Sequence, residues 1–145
     1  MTIRRKARES ALQALFSIDM LDGCGKDCDD EEIENLGRMI EVPQASQDYF
    51  KDLVKGVFRH FAAIDRSISD TSSNWKLTRM SGVDRNIIRI AAYELLYRDD
   101  IPPSVAINEA IEIAKKFGTE KSGPFINGIL DNLYKRFIEI RKEEH

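Results

Sequence analysis

Apolar residues recur at three- and four-residue steps along almost the whole chain, and no stretch sustains a period of two. This pattern predicts an all-α fold of about six to seven helices. The first runs from about Ile3 to Leu21 with Ala7, Ala11, Ala14, Leu15 and Ile18 facing inward, and Gly23 and Gly25 stop it. A short second helix from about Asp30 to Glu41 buries Ile33, Leu36 and Ile40, with Pro43 closing it and Ser46 offering the next N-cap. The longest reads from Gln47 towards Ser69 through Phe50, Leu53, Val54, Val57, Phe61, Ile64 and Ile68, until the polar run Asp70 to Asn74. Ser81 with Asp84 marks the start of a fourth helix ending near Tyr97. The Ile101-Pro102-Pro103 turn precedes a fifth, from about Ser104 to Phe117, with Gly118 as its C-terminal cap. A sixth follows Ser122, with Pro124 in its first turn, and extends to about Lys142. No internal repeat or linker composition divides residues 1–145, so the chain reads as a single domain.

On helical wheels two aromatics fall away from the apolar stripes: Phe16 in the first helix, near Arg5, Glu9 and Leu12, and Phe125 in the first turn of the sixth, just after Lys121. Cations neutralise phosphates and a flat ring stacks on an unpaired base, so this combination suits single-stranded RNA. The alternative is that the two rings pack on each other or on a neighbouring helix while Arg4, Arg5 and Arg8 form a solvated face. Glu94 is a third misfit, on the arc shared by Val83, Ile87, Ile90 and Ala91. A carboxylate there needs partners, and backbone groups at the start of the following helix are the expected ones rather than a catalytic task.

Composition adds an uneven charge. The net charge of -3 hides a basic start, Arg4, Arg5, Lys6 and Arg8 against Glu9, and an acidic segment holding Asp27, Asp29, Asp30, Glu31, Glu32 and Glu34 against Lys26. With 42% apolar and 32% charged residues the chain is an ordinary globular one. The absence of a membrane-length apolar run or a signal-type start makes it cytoplasmic by expectation, with no membrane partner. Cys24 and Cys28 cannot complete a metal site with His60 and His145 so distant, and are expected to be solvated thiols; His60 is expected to border a helical core. Ser73-Asn74-Trp75-Lys76 matches Ser-x-x-Lys without companion motifs, and there is no glycine-rich phosphate loop. The chain is therefore not expected to be an enzyme or to need a cofactor or metal.

Four segments follow one another along the chain: Arg4-Arg5-Lys6-Ala7-Arg8-Glu9 with Ala14-Leu15, Arg89 to Leu95, Val105 to Gly118, and Phe125 to Asp131. In this order they resemble the NusB family of bacterial transcription antitermination factors. The resemblance covers nearly the whole chain. It implies two helical bundles packed together, pairing with the ribosomal protein NusE, binding of the boxA element of ribosomal RNA transcripts, and action with other Nus factors on RNA polymerase. It places RNA contacts on Arg4, Arg5, Lys6, Arg8, Phe16 and the Lys121 to Phe125 region, and a NusE-facing position at Asp84 in the fourth helix. Two departures stand out: the acidic, cysteine-containing 22–34 segment, and Lys121 where an acidic residue can stand. A lysine there is expected to leave RNA binding no weaker. The competing expectations are a protein-only helical adaptor or homodimer whose arginine helix is an interface, and an RNA-modifying enzyme, since a similar helical domain precedes some ribosomal RNA cytosine methyltransferases. A chain of this length is not expected to carry that second domain.

Overall fold

The computed structural model describes residues 2–21, 28–71 and 76–143. Among them are seven α-helices and no strand: α1 (Ile3–Met20), α2 (Asp30–Ile40), α3 (Gln47–Arg59), α4 (Phe61–Thr71), α5 (Gly82–Tyr97), α6 (Pro103–Phe117) and α7 (Ser122–Glu143). Short 3-10 helices at Gln44–Ser46 and Leu77–Arg79 precede α3 and α5. The helices form two compact units, Met1–Ala62 and Ala63–His145. Gly23, Cys24, Gly25, the Ser73-Asn74-Trp75 segment and His145 lie outside the described residues.

In the first unit α1 packs on α2 and α3, and α2 on α3. Small and branched side chains let the helices approach: Ala7, Ala11, Ala14 and Leu15 of α1 are buried with Ile33, Phe50, Leu53, Val54 and Val57. Asp29 caps α2 by accepting from the Glu32 N–H at 2.8 Å, and Asp30, Glu31 and Glu32 sit in its first turn, where the helix macrodipole favours negative charge. Two of the acidic side chains of α2 pair with α3, Glu34 with Lys51 at 3.1 Å and Asp30 with Lys55. The helix stops before Pro43 is reached. Glu41 turns left-handed (φ 61°), and the Val42 N–H donates to the Gly37 carbonyl at 3.0 Å, so the stop is a Schellman turn.

Two expectations fail in this region. The single helix from Gln47 to Ser69 is two, because His60 (φ -110°, ψ 21°) leaves helical geometry and closes α3. Neither glycine nor proline marks the break, and the apolar steps run through it in register. Ser46 does not cap α3 with its side chain: the preceding 3-10 turn holds it in right-handed helical geometry rather than the extended form a cap requires. Its hydroxyl instead donates to the Ile3 carbonyl at 2.8 Å.

In the second unit α5, α6 and α7 pack on one another. Every residue of α5 from Asn86 to Leu95 is buried, Glu94 included. Arg89 holds α4 to α5, its Nε and Nη2 each donating to an Asp65 carboxylate oxygen at 2.9 Å and its Nη1 to Asn86 Oδ1 at 3.0 Å. The Asn86 amide donates in turn to the Gly82 carbonyl at 2.7 Å. Pro103 opens α6 where its missing N–H costs nothing, and Lys115 and Lys116 sit in the last turn, where cations suit the dipole.

Gly118 caps α6 as expected but for a different reason. Its backbone is extended (φ -97°) rather than left-handed, so any residue could adopt it. What it lacks is space: a Cβ there would stand 2.5 Å from Ser122 Oγ, 2.7 Å from Ser122 Cβ and 2.9 Å from the Ala114 carbonyl oxygen. That crowding makes the α6–α7 turn tight. Within it the Thr119 N–H donates to Ser122 Oγ at 2.9 Å and the Lys121 N–H to Thr119 Oγ1 at 3.3 Å.

Candidate nucleic-acid interface

The candidate residues of the first unit lie on α1. Thr2 caps this helix by accepting from the Arg5 N–H at 3.0 Å, and the first turn holds no acidic residue. Arg4, Arg5 and Lys6 thus crowd the positive end of the helix macrodipole, a position that costs roughly 0.3–1 kcal/mol per charge at low salt. The helix dipole does not favour them there. Arg4 and Lys6 are exposed and Arg5 half-buried.

Arg8, expected as an RNA contact and in the alternative as part of a solvated face, is only 3% exposed. It is flanked by Ala7 and Glu9, both buried, and its guanidinium lies 5.6 Å from the centre of the Tyr49 ring of α3. The Arg4 guanidinium lies 4.8 Å from the same ring centre. Tyr49, half-buried, received no role from the sequence. Its partners stand more than forty positions away, and no periodicity within α1 or α3 signals such a contact.

The wheel also misjudges the face that carries Phe16. Glu9 and Leu12, expected beside Phe16 on an outward face, are buried, and Ser10 with them, because α1 is enclosed around most of its middle. Phe16 itself is half-buried, as is Ile18 from the opposite stripe.

In the second unit Lys121 is exposed in the α6–α7 turn and Phe125 is half-buried in the first turn of α7, its N–H donating to the Lys121 carbonyl at 3.2 Å. The turn is more aromatic than the sequence suggests, because Phe117 at the end of α6 is 45% exposed with the Lys116 ammonium 5.2 Å from its ring centre. An aromatic next to lysines at a helix end was the available signal, but the sequence pattern gave Phe117 only the last place in its helix.

Asp84 lies half-buried in the first turn of α5, where its N–H donates to Ser81 Oγ at 3.1 Å. One of its carboxylate oxygens is buried without a hydrogen-bond partner among the described residues, a cost that the positive end of the α5 dipole offsets. Cys28 is not the solvated thiol expected. Burial, then a 3.6 Å hydrogen bond to Glu32 Oε2 and the charges of Glu32 and Asp29, push its thiol up to about 11. No described helix is long and apolar enough to cross a membrane.

Fold and site together define an all-α protein of two helical units that gathers cations around an aromatic ring at one helix start and displays lysines and phenylalanines at a tight interhelical turn. The family model described as NusB family matches residues 5–135, and the chain belongs to this family. A transcription antitermination protein NusB of Desulfosudis oleivorans is 47% identical over 93% of this chain and 87% of its own length. One from Bacillus velezensis is 45% identical over 90% and 94%. Among solved structures, NusB of T. maritima superposes with a TM-score of 0.81 at 37% identity, covering 100% of this chain and 99% of that one. A structure of the antitermination factors NusB and NusE in complex with double-stranded RNA superposes at 0.79 with 26% identity, covering 94% and 98%.

Proposed function

We propose that the protein is a transcription antitermination factor that binds boxA-type single-stranded RNA of ribosomal transcripts together with NusE, within an RNA polymerase complex that includes other Nus factors. The observation that carries this reading is the first turn of α1: three cations held against the helix dipole with no acid among them. The positive end of the helix and the cations around it together favour a polyanion there. The names of the relatives and the NusB–NusE–RNA structure supply the kind of RNA and partner.

In this reading Arg4, Arg5 and Lys6 meet phosphates, and Phe16 stacks on a base with its exposed part. Arg8, being buried, acts through the shape of the site. Lys121 and Phe125 repeat the cation-and-ring combination in the second unit, and Asp84 faces NusE. The protein is a binding factor of the cytoplasm and not an enzyme.

A titration with single-stranded boxA-type RNA, with and without NusE and with duplex RNA in parallel, tests the proposal. Replacing Arg4 and Lys6 by alanine should weaken binding and flatten the dependence of log K on log salt by about 0.7 for each phosphate that is no longer neutralised. Equal affinity of wild type and variant at both low and moderate salt would remove α1 from the interface.

A further inference from the structure

We infer that Tyr49 is a positioning residue for the arginines of α1, its ring presenting the Arg4 guanidinium to a phosphate and fixing Arg8 beside it; this rests on the RNA-binding reading above. Arg4 and Arg8 are four residues apart and so share one face of α1. Both guanidinium groups converge on the one ring, at 4.8 and 5.6 Å from its centre. Tyr49 follows Ser46 by three residues, near the start of α3, and Ser46 Oγ donates to the Ile3 carbonyl at 2.8 Å. That bond sets the start of α3 against the start of α1. The ring and the arginines are thus registered by a buried tie one turn away.

The chemistry favours a ring at this place. Two like charges brought together repel, and the negative face of an aromatic ring lowers that repulsion. A guanidinium stacked on a ring keeps its N–H donors in the plane, where they stay available for a two-pronged contact with phosphate. Arg4 is exposed and its side chain has many rotamers to lose on binding; a ring against which it already rests reduces that loss.

Fluorescence anisotropy of a single-stranded boxA-type oligonucleotide against the full chain separates the possibilities. Tyr49→Leu should lower affinity about three- to fivefold, and Tyr49→Phe, which keeps the ring, should restore wild-type binding. The effect of Tyr49→Leu should shrink to within twofold in an Arg4→Ala background, because the ring acts through that arginine. Arg4→Lys leaves the fold of α3 untouched and keeps the charge, yet should lose most of what Arg4→Ala loses, so the inference stays testable if Tyr49→Leu does not fold. Full loss from Tyr49→Leu in both backgrounds would make the ring itself an RNA contact and overturn the positioning role. A lysine at position 4 that binds as well as arginine would overturn it too. If Arg4→Ala binds like wild type, or wild type does not bind the oligonucleotide, the RNA reading fails and this inference falls with it.

Discussion

Replacing Gly118 by alanine puts a methyl group where the structure has no room. Two of the three close atoms belong to Ser122, the first residue of α7 and itself buried, and the third is the backbone carbonyl of Ala114. Ser122 would have to retreat and release the Thr119 N–H it accepts at 2.9 Å. Overpacking costs about 1–3 kcal/mol and an orphaned, partly buried donor about 1–3 more, while alanine regains about 0.4–1 kcal/mol by restricting the unfolded chain. The expected net loss is about 1–5 kcal/mol, which at an m-value of about 2 kcal/mol/M moves the urea midpoint down by roughly 0.5–2.5 M. Circular dichroism through a urea titration measures it. Ser122→Gly removes two of the three close atoms, so Gly118→Ala should cost clearly less in that background than alone. A midpoint for Gly118→Ala within about 0.2 M of wild type, at unchanged m, would show that the turn has slack and that crowding does not fix the residue at 118. If the crowding also sets where Lys121 stands, the variant should bind RNA more weakly as well.

Two further outcomes follow from buried polar groups. Arg89→Ala should destabilise the protein by about 3 kcal/mol in the same urea assay, since Asp65 and Asn86 both lose a partner, whereas Arg89→Met with Asp65→Leu should recover most of it. An equal loss in both variants would mean that packing rather than charge pairing dominates there. Cys28, in a Cys24→Ser background, should alkylate slowly: a thiol near 11 instead of 9.0 carries about a hundredfold less thiolate at pH 8. The sign for stability is that of a raised acid: the fold holds the neutral thiol, so stability falls as pH rises from the ordinary thiol value towards 11. Iodoacetamide labelling as fast in native as in urea-unfolded protein would contradict the shift.

Helices were legible wherever one periodic stripe met clear punctuation. α5, α6 and α7 have the bounds that Ser81, the Pro102-Pro103 pair and Ser122 announce. Where the fold overrides local pattern the sequence misleads. The break at His60 sits inside an unbroken apolar register, and the burial of Arg8, Glu9 and Ser10 reflects a helix enclosed on more than one side, which a single-stripe wheel cannot represent. The basic start and the Lys121–Phe125 turn were readable because charge and residue type are local properties. Tyr49 was not, because its meaning depends on residues brought to it from another helix. The reason for Gly118 was hidden likewise: sequence suggests backbone freedom, while the structure shows a neighbouring helix start too close for a Cβ.

The enclosure of α5 has a consequence for how the protein can be recognised. Ten consecutive residues, Asn86 to Leu95, are buried and offer almost no surface. Anything that reads this helix from outside must read it end-on, through Gly82 to Arg85 at one tip or Leu96 and Tyr97 at the other. At 1.5 Å per residue the tips stand roughly 20 Å apart. The surface that α5 offers is thus split between two separate places, one holding Asp84 and the other Tyr97, which is 38% exposed.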